Sequence, residues 1–146
     1  MSPEVWDDAI PRIQAVADLL GITFEMPNED AGPRPSPPQS WVQIEVAADQ
    51  AGPMQIGYDA WEERGEVYIS LMVPVGAGLR PYLVQRKQFS LAFRGINQTL
   101  TNVGLIYSDN QTFDALGQER IDGMYLRLPL IVRYTYHDQL TNPPPQ

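Results

Sequence analysis

Three segments of this chain alternate apolar and polar residues with a period of two, and that pattern restricts the fold most. The longest is GMYLRLPLIVRYTYHD. Met124, Leu126, Leu128, Leu130, Val132, Tyr134 and Tyr136 fall on one side, and Tyr125, Arg127, Ile131, Arg133 and Thr135 on the other. A second places Val67, Ile69, Leu71 and Val73 on one face and Glu66, Tyr68, Ser70 and Met72 on the other, and Pro74 closes it. A third sets Val42, Ile44 and Val46 against Gln43 and Glu45. Successive strand residues point to opposite faces, so each is a strand with one buried face. One-faced strands predict an antiparallel sheet covered on one side. Pro129 has no N–H to give to a ladder, so the last strand must be an edge or carry a bulge there.

Two segments have helical spacing and can supply the cover. Val5, Ala9, Ile13, Val16, Ala17 and Leu20 recur every three or four residues. Ser2 and Pro3 fit the N-cap and first helical position, and Gly21 ends the helix. Pro11 predicts either a kink or a later start near Ile10, with Asp7 or Asp8 as cap. The second helix lies in LRPYLVQRKQFSLAFRG, after a Gly76-Ala77-Gly78 turn. Leu79, Tyr82, Leu83, Phe89, Ala92 and Phe93 form its apolar side, and Gly95 stops it. Short strands are expected at Ile22–Phe24 and at Val103, Leu105 and Tyr107. Residues 25–40 hold five prolines and read as a long loop. Residues 49–65 and 108–122 lack periodicity, and LTNPPPQ reads as unstructured. The expectation is an α+β two-layer sandwich, a mainly antiparallel sheet of four to five strands with two helices on one face. It forms one domain over residues 1–137, with a flexible tail at 138–146.

The 146 residues suffice for one such core without staples. The absence of cysteine excludes disulfides, thiolate metal sites and cysteine nucleophiles. The N-terminus is acidic where a secretion signal would be basic, and no apolar run is long enough to span a bilayer. A soluble protein, cytoplasmic if made in a bacterium, is expected. The net charge of −8 does not suit a reader of duplex DNA. The charge is uneven: residues 1–66 hold 13 acidic and 3 basic side chains, and residues 67–146 hold 5 and 7. An acidic solvated surface accounts for this. So do opposite-sign patches on different flanks of a ring-forming subunit.

Sites for chemistry are sparse. His137 is the one histidine, lies near the end of the last strand, and cannot build a histidine metal site by itself. No serine stands in a G-x-S-x-G turn. The glycine turn fails as a phosphate loop because Pro81 occupies the third glycine position. Asp59, Glu62, Glu63 and Glu66 could hold a cation or work as an acid/base pair, or form a solvated acidic loop. Arg80, Lys87 and Arg94 recur every seven residues, with Arg86 beside them. They read as a solvent face or a subunit contact. Trp41, Tyr68, Met72, Tyr125 and Ile131 lie on the nominally polar sheet face, either meeting a partner or covered by the chain's own loops. The subunit-interface candidates are therefore Arg80, Arg86, Lys87, Arg94, Asp59, Glu62, Glu63, Trp41, Tyr68 and Tyr125. No catalytic residue, cofactor or metal is expected.

Several of these segments together resemble a known family. They are SPEVWDDAIPRI, the WVQIEV strand after a proline-rich loop, GEVYISLMVPVGAGLRPYLVQRKQFSLAFRG with its V-P-x-G-x-G turn, and YLRLPLIVRYTY. In order and spacing the chain resembles the siphophage tail-terminator proteins, similar to the minor tail protein U of lambda-like phages. It departs from that pattern at Pro11 and in residues 108–122. The resemblance implies a two-helix, one-sheet subunit of the virion neck, without an active site. Its own copies would form a ring, typically a hexamer, that caps the tail tube and meets the tube protein and the head-tail connector proteins. DNA would pass through the lumen without specific binding, and an acidic lumen would repel its phosphates. Another neck or connector subunit without a termination role is the alternative, and an enzyme with an acidic site is a third reading.

Overall fold

The hydrophobic alternation is realised as one mixed sheet of six strands with two helices packed on one face. The computed structural model describes residues 1–29, 38–53, 60–76, 78–95, 104–113, 120–121 and 124–139; of 46–50, 53, 60, 120, 121 and 139 it describes the backbone. The elements are α1 (Pro3–Leu20), β1 (Thr23–Glu25), β2 (Trp41–Pro53), β3 (Ala60–Pro74), α2 (Arg80–Leu91), β4 (Leu105–Tyr107), β5 (Arg120–Ile121) and β6 (Tyr125–Gln139). The strand order is β1-β2-β3-β6-β4, and β5 pairs with the start of β6. Every pairing is antiparallel except that of β1 with β2.

The register explains the core. Val42, Leu71 and Leu128 are neighbours across β2, β3 and β6, and Ile44, Ile69 and Leu130 form the next row. All six are buried beneath Val5, Ala9, Ile13 and Ala17 of α1 and Phe89 of α2, with Phe93 just past the end of α2. Each such aliphatic side chain contributes about 1.5–3 kcal/mol on burial.

Pro11 does not shift the start of α1, which runs from Pro3 with Ser2 as N-cap. The proline is exposed on the solvent side. A mid-helix proline costs about 3 kcal/mol, which burial of the opposite face offsets. Gly21 ends α1 at φ 67°, and the Ile22 N–H closes back on the Ala17 carbonyl.

Among the described residues Pro129 sits at a local edge. β4 covers β6 at residues 134–136 and β5 covers it at 125–126. Thr112 bonds Ile131 in both directions from the outer side. Residue 129 has the same parity as 131, so its missing N–H lies on that outer side, and its carbonyl accepts from Arg86 Nη1 at 3.2 Å.

Three expectations are corrected. The segment 49–65 is not irregular where described: β2 continues to Pro53 and β3 begins at Ala60, with a register slip between Ala48 and Gln50. β3 is held between two long strands, so pairing overrides the weak strand propensity of its glycine and glutamates. Asp138 and Gln139, expected in the tail, pair with Trp61 and Ala60 instead, and residues 140–146 lie outside the described residues. Segment 108–122 contains the Thr112 bridge and β5. Val103 lies outside the described residues.

Candidate interaction surfaces

The acidic group expected around residues 59–66 is divided by the strand that carries it. Glu62 and Glu63 are consecutive in β3 and so point to opposite faces. Glu62 lies on the face away from the helices. It accepts from Arg64 Nε at 2.6 Å and is 3.0 Å from His137 Nε2. The His137 contact is the main cause that holds its carboxyl below the ordinary range. Glu66, on the same face, accepts from the Tyr68 hydroxyl and lies 3.4 Å from Arg133 Nε. Asp59 lies outside the described residues. The pair Glu62 and Glu63 therefore cannot close on one cation, and no group of three or more metal-ligating side chains gathers among the described residues.

Glu63 is buried under the start of α1. Its Oε1 accepts the Ser2 hydroxyl at 2.6 Å, and its Oε2 accepts the Ser2 N–H at 3.1 Å and the Tyr134 hydroxyl at 2.6 Å. Burial pushes this carboxyl up, but the bonds from Ser2 and Tyr134 outweigh it and leave the group below its ordinary value. A carboxylate at a helix N-terminus also meets the positive end of the helix dipole. Ser2 makes no side-chain cap bond to its own helix; its hydroxyl is turned toward Glu63, to which it donates. Glu63 thus anchors a helix.

The basic group on α2 is also divided. Arg80 and Lys87 are exposed, and Arg94 is half-buried with Nε 3.5 Å from Gln111 Oε1. Arg86 points inward and is 7% exposed. It holds the Pro129 carbonyl and stacks over the Phe113 ring at 5.1 Å. Leu83, expected on the buried side, is 37% exposed, and Val84 beside it is 47% exposed. The α2 ridge facing solvent is therefore part basic and part aliphatic.

Trp41, Met72 and Tyr125 form a small second core on the sheet face away from the helices. Trp41 and Tyr125 meet edge-on, with ring centres 6.1 Å apart. All three are buried within the single chain, Trp41 at 6% exposure, so covering this cluster takes no partner subunit. Ile131 is buried there too, and Tyr68 is half-buried.

The sequence reading missed two buried polar networks. One is the Ser2–Glu63–Tyr134 anchor. In the other, Asp8 accepts from Arg12 Nε at 2.6 Å and from the Tyr107 hydroxyl at 2.7 Å, and Arg12 also donates to the Ala92 carbonyl at 2.9 Å. The four-residue spacing of Asp8 and Arg12 was a visible signal. The distant partner Tyr107 had none. An open groove of about 380 Å³ runs beside the end of α1, between residues 38–40 and Tyr82 and Gln85. Among the described residues no charged side chain lines it.

No described helix is long and apolar enough to cross a membrane, which says nothing of a β-barrel. No protein-family model matches the chain, and no curated protein matches it. Among solved structures, one whose name describes no function superposes with a TM-score of 0.64 at 15% identity. The match covers 100% of this chain and 99% of that one. At that identity the likeness shows the fold alone.

Proposed function

We propose that this chain is a structural subunit of a tailed-phage virion, a tail terminator that caps the tail tube as a ring and prepares it for joining to the head. The carrying observation is where the motifs of the resemblance fall. SPEVWDDAIPRI lies in α1 and its cap, WVQIEV opens β2, the V-P-x-G-x-G turn joins β3 to α2, and YLRLPLIVRYTY is the body of β6. A two-helix, one-sheet subunit is also what the resemblance implies. The dispersal of the titratable groups supports the same reading. Glu62 and Glu63 face opposite ways, and Glu63, Asp8 and Arg86 are committed to internal bonds.

In this reading the partners are further copies of the chain, the tube protein and the head-tail connector proteins. DNA passes without specific contact and no cofactor is used. The physical requirement is a pair of different, complementary flanks on each subunit, since a head-to-tail interface repeats until the rotation closes. Removal of the protein from the phage tests the proposal. Over-long tails that fail to join heads are expected in electron micrographs. Tails of normal length that fail to join heads would instead support a connector role, and normal virions would end both readings.

A further inference from the structure

We propose that the outward ridge of α2 docks on the outward ridge of α1 of a second copy, the two helices antiparallel. This rests on the ring-forming reading above and identifies its contact surface. Arg80 and Lys87 are seven residues apart, so they share one side of α2 about 10 Å apart, with the exposed Leu83 and Val84 between them. Asp7 and Asp18 are eleven residues apart, about three turns, and share one side of α1 about 16 Å apart. Between them the exposed surface is small, at Pro11 and Ala15. One ridge thus carries two cations around a raised aliphatic pair, and the other carries two anions around a shallow stretch.

The chain does not satisfy these charges itself. Among the described residues Arg80, Lys87, Asp7 and Asp18 make no ion pair, and the Asp18 carboxylate accepts only from Gln14 of its own helix, at 2.8 Å. Two of the four also oppose their own helix dipoles. Asp18 lies in the last turn of α1, at its negative end, and Arg80 opens α2 at its positive end. Antiparallel docking sets Arg80 beside Asp18 and Lys87 toward Asp7, so each misplaced charge gains an opposite partner. It also lays Leu83 and Val84 over Pro11 and Ala15.

The placement suits a repeating contact. α1 crosses the sheet, from β1 near its end to Tyr107 of β4, which Asp8 holds, and α2 packs over β6. The two ridges lie on different helices and are distinct surfaces of one subunit. Joining them head-to-tail leaves one of each free for the next copy.

The absence of native cysteine makes the contact measurable. Ala15→Cys and Val84→Cys chains are mixed at high protein concentration and oxidised. The control pair is Ala15→Cys with Ile106→Cys, an exposed site on the other sheet face. The α1–α2 disulfide should exceed the control by about fivefold, as expected for two exposed ion pairs with modest packing. Arg80→Glu with Lys87→Glu in the Val84→Cys chain should abolish that excess. Asp7→Lys with Asp18→Lys in the Ala15→Cys chain should restore it. No excess over the control at any concentration, or a preference of Val84→Cys chains for one another, would overturn the proposal. Tail length in phage lacking the protein is a separate readout, so the termination reading can fail without this one and the reverse.

Discussion

Gly65 and Tyr134 are directly opposed on β3 and β6, and the tyrosine ring occupies the space that a side chain at residue 65 would need. A Cβ on Gly65 would lie 2.5 Å from the Tyr134 hydroxyl oxygen and 2.6 Å from the ring carbon that bears it. The glycine lets the ring lie along the sheet, and the ring's hydroxyl then reaches Glu63 two residues away on β3. Glu63 in turn holds Ser2 at the head of α1. One missing side chain thus permits the link between sheet and helix.

Gly65→Ala should therefore destabilise the protein by about 1–3 kcal/mol through overpacking. The loss should largely disappear in a Tyr134→Ser background, where the ring is gone. Denaturant unfolding of the two single variants and the double variant measures this coupling. Full additivity would mean that the close approach carries no strain.

The Glu63 anchor gives an acid branch to stability. Its folded-state carboxyl titrates below the ordinary value of 4.5. The unfolded chain therefore takes up this proton first as pH falls, and stability falls with it. The contribution is fully present above about pH 5 and is lost as pH drops through the lowered folded-state value. Wild type should lose stability more steeply than Glu63→Gln between about pH 5 and 3, seen as unfolding midpoints against pH. Parallel curves would remove Glu63 from the acid response.

Asp8 and Tyr107 form the second buried pair. Burial first, and then the bond to Asp8, push the Tyr107 hydroxyl far above the ordinary phenol range, so it stays protonated while the protein is folded. Alkaline difference spectra should show a tyrosine component that ionises only on unfolding, and Tyr107→Phe should reduce that component by one residue. Tyr107→Phe should cost about 1–2 kcal/mol. Asp8→Ala, which strips Arg12 of its carboxylate, should cost about 3–5 kcal/mol.

The basic residues of α2 should separate by burial. Arg86→Ala leaves the Pro129 carbonyl without its donor and uncovers Phe113, and should cost about 2–3 kcal/mol. Arg80→Ala and Lys87→Ala should each stay within about 0.5 kcal/mol, because their side chains are exposed. Thermal melts of the three variants at low protein concentration suffice. Equal losses would contradict the inward placement of Arg86.

Much of the fold was legible because alternation is a local property. Val67, Ile69, Leu71 and Val73 declared their face without knowledge of any neighbour, and the spacing from Val5 to Ala17 did the same for α1. The strand extensions were not legible. Residues 60–66 are rich in glutamate and carry a glycine, and they are strand because β2 and β6 pair with them on both sides. The surface was less legible than the core. Arg80 and Arg86 look alike in sequence, and Leu83 fits the same apolar stripe as Phe89. Which of them face solvent depends on how α2 is rotated over β6.

Periodicity and turn residues in the sequence determined that two helices would cover one face of a mainly antiparallel sheet. They also determined that Trp41, Met72 and Tyr125 would share the opposite face. Only the tertiary structure decided that this group is internal, that Glu63 is a buried anchor while Glu62 pairs with Arg64 and His137, and that the Pro129 carbonyl is held by Arg86. The physical reason is distance along the chain. Alternation is set by adjacent residues, whereas the partners of Glu63 are 61 and 71 residues away and that of Asp8 is 99 residues away.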